Sequence, residues 1–138
     1  MADQKELQEK LLLYQILQQQ MEAIKEQAFL LQNRFLEIEA TKQAIEDISS
    51  VEQAGDTLIP LGSGAYIHGK VSDMNKILVD IGAGVMLNKD VKSTLAVMEE
   101  KKAEVEGALK SIQQSLNHIV NKINEIGAEL KEAMQENK

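Results

Sequence analysis

The chain has 138 residues, with 15 Lys+Arg against 22 Asp+Glu, no cysteine and only four aromatic side chains. A formal charge of -7 with a single arginine, Arg34, argues against nucleic-acid binding and against docking on anionic membranes. Without cysteine there is neither a disulfide framework nor thiolate chemistry, and a reducing cytoplasm is the expected compartment.

The first element runs over residues 7–51 without a glycine or proline. With Leu7 at heptad position a, ten of the twelve a and d sites through Ile45 are apolar; the exceptions are Lys10 and Lys42. At the overall hydrophobic fraction of 43%, chance would give about five. A pattern sustained over five heptads predicts a coiled-coil helix, about 65–70 Å long at 1.5 Å per residue. Residues 1–53 are assigned to this arm.

The middle segment, residues 54–90, holds the only proline and six of the eight glycines, and the helical period disappears. In AYIHGKV, Ala65, Ile67, Gly69 and Val71 alternate with Tyr66, His68 and Lys70. In KILVDI, Ile77, Val79 and Ile81 alternate with Lys76, Leu78 and Asp80. These are strand patterns. TLIPL, with Leu58 and Ile59, and VMLNK, with Val85 and Leu87, read as two further strands, Pro60 demoting the first to an edge or bulge. LGSGA and IGAGV place glycines at equivalent positions twenty residues apart, so each reads as a hairpin turn that uses positive φ. SDMN at 72–75 joins the two hairpins.

The third element, residues 91–138, repeats the first. With Leu95 at position a, eleven of twelve a and d sites through Ala133 are apolar, Lys102 being the exception. Asp90 precedes the run as a candidate cap. The two helices match in length, which predicts an antiparallel hairpin with Lys42 and Lys102 at similar heights. Their stems are expected to cover the seam while their heads reach water or the nearby Glu46 and Glu106. The predicted order is thus helix, hairpin, hairpin, helix: a mainly α chain with a small β body.

Catalytic chemistry has no candidate. GSG and GAG fit neither G-x-G-x-x-G nor the phosphate loop, no serine sits in G-x-S-x-G, and His68 and His118 lie far apart on polar positions. No catalytic residue, cofactor or metal is expected. No apolar run approaches the roughly 20 residues of a membrane span, and MADQKELQEK lacks a basic stretch followed by an apolar one, so no secretory signal is expected.

Unmatched apolar surface is the feature that asks for a function. Two small hairpins cannot bury their own apolar faces, and helices leading away from them cannot do it either. Their strands, carrying Leu58, Ile59, Ile67, Val71, Ile77, Val79, Ile81, Val85 and Leu87, are therefore expected to pair with strands of other chains in a shared sheet or barrel. On the arms, Leu11, Leu12, Leu13 and Ile16 fall off the seam, as do Phe29, Leu30 and Leu36 further along and Val120 and Met134 on the second helix. A solvated coiled coil fills those positions with polar residues, so Leu11, Leu12, Leu13, Ile16 and Met134 form a candidate contact surface at the end remote from the β body.

This order, with DTLIPLGSGAYIHGKV (56–71) and KILVDIGAGVMLNKDV (76–91), resembles the archaeal prefoldin α-class family over nearly the whole chain. The central P-L-G-S-G and V-D-I-G-A-G-V turns carry the resemblance, and two hairpins rather than one favour the α over the β class. The resemblance implies a hexamer of two α and four β-type subunits, with hairpins joined in inter-subunit β-barrels and coiled coils hanging from them. It implies an ATP-independent holdase, without cofactor, that grips unfolded client proteins and passes them to a group II chaperonin. The alternative is a prefoldin-like scaffold that assembles with itself, into homo-oligomers or filaments, without a client.

Overall fold

In the computed structural model, which describes residues 4–50 and 56–136, the elements follow the expected order. They are α1 (Gln4–Ser50), β1 (Thr57–Gly62), β2 (Ala65–Gly69), β3 (Ile77–Gly82), β4 (Val85–Lys89) and α2 (Val91–Glu136). The boundary expected at residue 53/54 lies outside the described residues. The chain divides into two compact units, Met1–Arg34 with Val105–Lys138, and Phe35–Glu104.

In the first unit the two helices run antiparallel. Leu17, Ile119 and Ile123 are buried together, with Tyr14, Met21, Ile24 and Ile126 packed against them. All seven are seam positions. Burying a leucine or isoleucine contributes roughly 1.5–3 kcal/mol, so the alternation of a and d residues is what holds this pair. Lys10, a polar seam residue, reaches across to Glu129 at 3.2 Å.

The second unit contains the base of both helices and both hairpins. Ile38 and Val79 are its buried apolar residues. Here Lys42 pairs with Glu99, and Lys102 Nζ lies 2.9 Å from Glu39 Oε1 and 5.5 Å from the centre of the Phe35 ring. Across the seam these lysines meet Glu99 and Glu39, acids that lie elsewhere than the expected Glu46 and Glu106, and Lys42 also lies 3.9 Å from Glu39 on its own helix. The physical reason for the cross-seam pairs is burial: a half-buried ammonium is costly unless an acid reaches it. The Glu99 carboxyl is held below its ordinary range by the hydrogen bond from Lys42, with the charges of Lys42 and Lys102 adding to it.

The hairpins form two separate two-stranded antiparallel sheets of identical design. In each, a register shift precedes the turn, between Pro60 and Gly62 and between Asp80 and Gly82. Gly62 and Gly82, at φ 111° and 124°, absorb those bulges, and the two-residue turns Ser63-Gly64 and Ala83-Gly84 are left-handed at both positions. The Gly82 amide donates to Asp80 Oδ1 at 2.8 Å. One strand is shorter than the alternation suggested. β2 ends at Gly69, which faces Thr57, the residue that opens β1, so Val71 lies beyond the strand.

α2 follows β4 directly. Asp90 Oδ1 accepts from the Ser93 amide at 2.7 Å, and its carbonyl accepts from the Thr94 amide and hydroxyl at 2.9 and 2.7 Å. Thr94 is fully buried. The cap welds the second helix to the second hairpin. The Ser93 hydrogen bonds, helped by Lys92 and Lys89, hold the Asp90 carboxyl below its ordinary 3.8.

Two predictions follow from these termini and turns. A depressed carboxyl adds stability above pH 3.8 and loses it as the pH falls through the folded value. Asp90→Ala should therefore lower the melting temperature at pH 7, and its difference from the parent should shrink below pH 3.8 in circular-dichroism melts. Glycine-to-alanine changes should have opposite signs at two sites. Gly82→Ala, at φ 124°, should destabilise by about 1–3 kcal/mol. Gly107→Ala, on an open helix surface, should stabilise by about 1 kcal/mol in urea unfolding.

Candidate binding and assembly surfaces

Register decides which hairpin residues share a face. In the first hairpin Ile59 opposes Ile67, with Thr57 and Gly69 beside them, while Leu58, Pro60, Tyr66 and His68 occupy the other side. Ile59 leans over Gly69: a Cβ there would sit 2.6 Å from Ile59 Cδ1. In the second hairpin Val79 opposes Leu87 and Ile77 opposes Lys89, while Leu78, Asp80, Met86 and Asn88 face away.

Within the described chain these faces stay largely open. Leu58, Ile59, Ile67, Val71, Ile81, Val85 and Leu87 are exposed, and so are Leu61, Tyr66, Leu78 and Met86, which the strand pattern alone did not single out. Leu61 is the most open, at 67%. It is the residue left over at the first bulge, so the turn chemistry at LGSG is the signal that would have found it. Val79 is different: it is 3% exposed, and Ile77 is half-buried, so this part of β3 already packs within its own unit. Each two-stranded sheet also leaves both outer strand edges without a hydrogen-bonding neighbour among the described residues. Open apolar faces beside open edges are the physical recipe for strand addition by another chain.

The second surface lies in the first unit. Leu11, Leu12, Leu13, Ile16 and Met134 are all exposed, Leu12 and Met134 by about 60%. Tyr14, at the seam, borders a shallow groove of about 420 Å³ with Gly127, Leu130, Lys131, Met134 and Gln135. Gly127 opens this groove, since its missing side chain leaves the Tyr14 ring uncovered: a Cβ at 127 would touch Tyr14 Cε2 at 3.5 Å. Heptad counting marks Gly127 only as an e position; its height opposite Tyr14 becomes visible once the helices are paired. Phe29, Leu30 and Leu36 are exposed as well, at 61–63%. Among the described residues no group of three or more His, Cys, Asp or Glu is arranged to hold a metal ion. No helix there is long and apolar enough to cross a membrane. What the exposed apolar residues offer chemically is burial against a partner.

Known proteins are similar to this chain. The family model described as "Prefoldin subunit" matches residues 17–136. Prefoldin subunit alpha of Nitrosopumilus maritimus is 35% identical over 108 residues, 75% of this chain and 74% of the relative. Prefoldin subunit alpha of Pyrococcus horikoshii is 25% identical over 132 residues, 95% of this chain and 89% of the relative. A filamentous PFD from Methanocaldococcus jannaschii, solved by cryo-EM, has the same fold, with a TM-score of 0.72, 18% identity and coverage of 83% of this chain and 95% of that one.

The hairpin faces yield a prediction about assembly. Aspartate at Ile59, Ile67, Val85 and Leu87, all exposed in the single chain, should leave helix content intact yet abolish strand addition, because an unpaired charge in a buried sheet costs several kcal/mol. Light scattering should show the monomer mass for this variant; a full oligomeric mass would show that the hairpins are not the assembly element.

Proposed function

The chain belongs to the prefoldin family, and from that membership we propose that it is the α-type subunit of an ATP-independent holdase. Membership itself supports a chaperone role and association with β-type prefoldin subunits. In the proposed complex two copies of this chain join four β-type subunits through their hairpins, which complete β-barrels. The ends of the coiled coils hold unfolded proteins in the cytoplasm and release them to a group II chaperonin. Residues 1–138 act as one prefoldin-type domain, in keeping with helices that run unbroken from one compact unit into the other.

The exposed cluster of Leu11, Leu12, Leu13 and Ile16, with Met134, carries this reading. These groups lie off the seam, so they add nothing to helix pairing and are available to a client. Methionine adapts its shape to varied partners. One leucine buried against a client contributes at most about 1.5–3 kcal/mol, and ordering a mobile client removes much of that. A single arm therefore binds weakly, and several arms held in one complex bind usefully by raising the local concentration of sites. Self-assembly into a scaffold is compatible with the filamentous archaeal neighbour. That reading leaves the Leu11, Leu12, Leu13 and Ile16 cluster without a task.

Changing these four residues to Ser or Gln should abolish suppression of client aggregation while oligomeric mass and helix content hold. A variant that protects a model client as well as the parent would move binding toward Phe29 and Leu36. Capture by apolar burial should also persist at high ionic strength and ignore added ATP, since screening weakens charge pairs and spares apolar contacts. A holdase assay with the isolated complex in which ATP changes capture would contradict the mechanism.

A further inference from the structure

The chain has no cysteine, so its six methionines hold all of its sulfur. Hydroperoxides oxidise a thioether to a sulfoxide, and access to the sulfur decides which methionine reacts. Five of the six lie among the described residues, and exposure sorts them. Met21 packs against the Leu17 cluster, and Met74 and Met98 are half-buried. Met86 and Met134 are exposed, at 47% and 61%. In the proposed complex partner chains cover the hairpins, Met86 included. Met134 stands on α2, away from the hairpins in sequence and off the seam, and stays open.

Its surroundings give oxidation a consequence. Leu130 precedes Met134 by one helical turn and Gly127 by two, and all three line the groove beside Tyr14. The apolar wall of that groove comes from the Met134 thioether, Leu130 and the Tyr14 ring that Gly127 leaves uncovered. A sulfoxide turns the thioether into a polar group with a strongly accepting oxygen. An apolar client side chain seated against it strips that oxygen of water, which is unfavourable. The fold is spared, because the buried neighbours on this stretch of α2 are the seam residues Leu130 and Ala133.

We propose that Met134 is a reversible oxidation site that switches the groove beside Tyr14 between an apolar and a polar state. The proposal rests on the client-binding reading above. A hydroperoxide transfers one oxygen atom to the Met134 sulfur; the sulfur loses two electrons, and the peroxide is reduced to water or to its alcohol. Methionine sulfoxide reductases reverse the step with a dithiol: the oxygen leaves as water and the two thiols close to a disulfide. The oxidised arm releases apolar clients, and reduction restores its grip.

The test treats the full chain, assembled with a β-type subunit, with hydrogen peroxide and then catalase. Peptide mass spectrometry should find Met134 oxidised several-fold faster than Met21, Met74, Met86 or Met98. A model client added afterwards should be protected several-fold less well than by the untreated complex, at unchanged helix content and oligomeric mass. Methionine sulfoxide reductases with dithiothreitol should restore protection. The Met134→Leu complex, measured against its own untreated sample, should lose no protection, which separates Met134 from every other methionine in the complex. Full sulfoxide at Met134 with capture unchanged, or the same loss in Met134→Leu, overturns the switch and leaves client binding standing. An untreated parent complex that protects no client removes the client-binding reading, and the switch with it.

Discussion

A two-stranded antiparallel hairpin has two faces, two edges and no second layer, and in water such a unit is marginal. This chain carries two of them in succession, with the same bulge before the same left-handed turn. Only Val79 and its neighbourhood are covered from within; Leu58, Ile59, Leu61, Tyr66, Ile67, Leu78, Met86 and Leu87 are not. Everything else follows from that deficit. A sequence that spends most of its β-forming residues on surfaces it cannot cover makes sense as part of a larger sheet, and the long helices then become appendages of an assembly.

The helices solve a different problem. Seam residues such as Leu17, Ile119 and Ile123 bury against one another, which leaves side chains off the seam to other contacts. Polar residues occupy most of those positions, which keeps the chain soluble at a charge of -7. The exceptions on α1, Leu11, Leu12, Leu13, Ile16, Phe29, Leu30, Leu36 and Ile48, stand exposed on an otherwise largely polar surface. Under the proposed function, weak apolar contacts of this kind would serve clients that share nothing but exposed hydrophobic groups. Each seam lysine meets an acid of the facing helix: Lys10 meets Glu129, Lys42 meets Glu99 and Lys102 meets Glu39.

Much of this could be read from the residues. Heptads located both helices, period-two alternation located the strands, and the GSG and GAG repeats located both turns, because each signal is local. Asp90 was recognisable as a cap for the same reason. What local patterns could not supply was anything fixed by pairing. Val71 belongs to the alternation yet lies past β2, which ends where Gly69 faces Thr57. Leu61 looks like an ordinary strand residue until the bulge leaves it unpaired. The glutamates that serve Lys42 and Lys102, and the groove that Gly127 opens beside Tyr14, depend on the relative height of two helices.

Native mass spectrometry of this chain, alone and mixed with a β-type prefoldin subunit, bears most directly on the claim that its hairpins are incomplete without partner strands. The account predicts that mixing produces one complex containing two copies of this chain and four of the partner. A chain whose mass is unchanged by the partner, with its hairpin residues still exposed as in the single molecule, would contradict it.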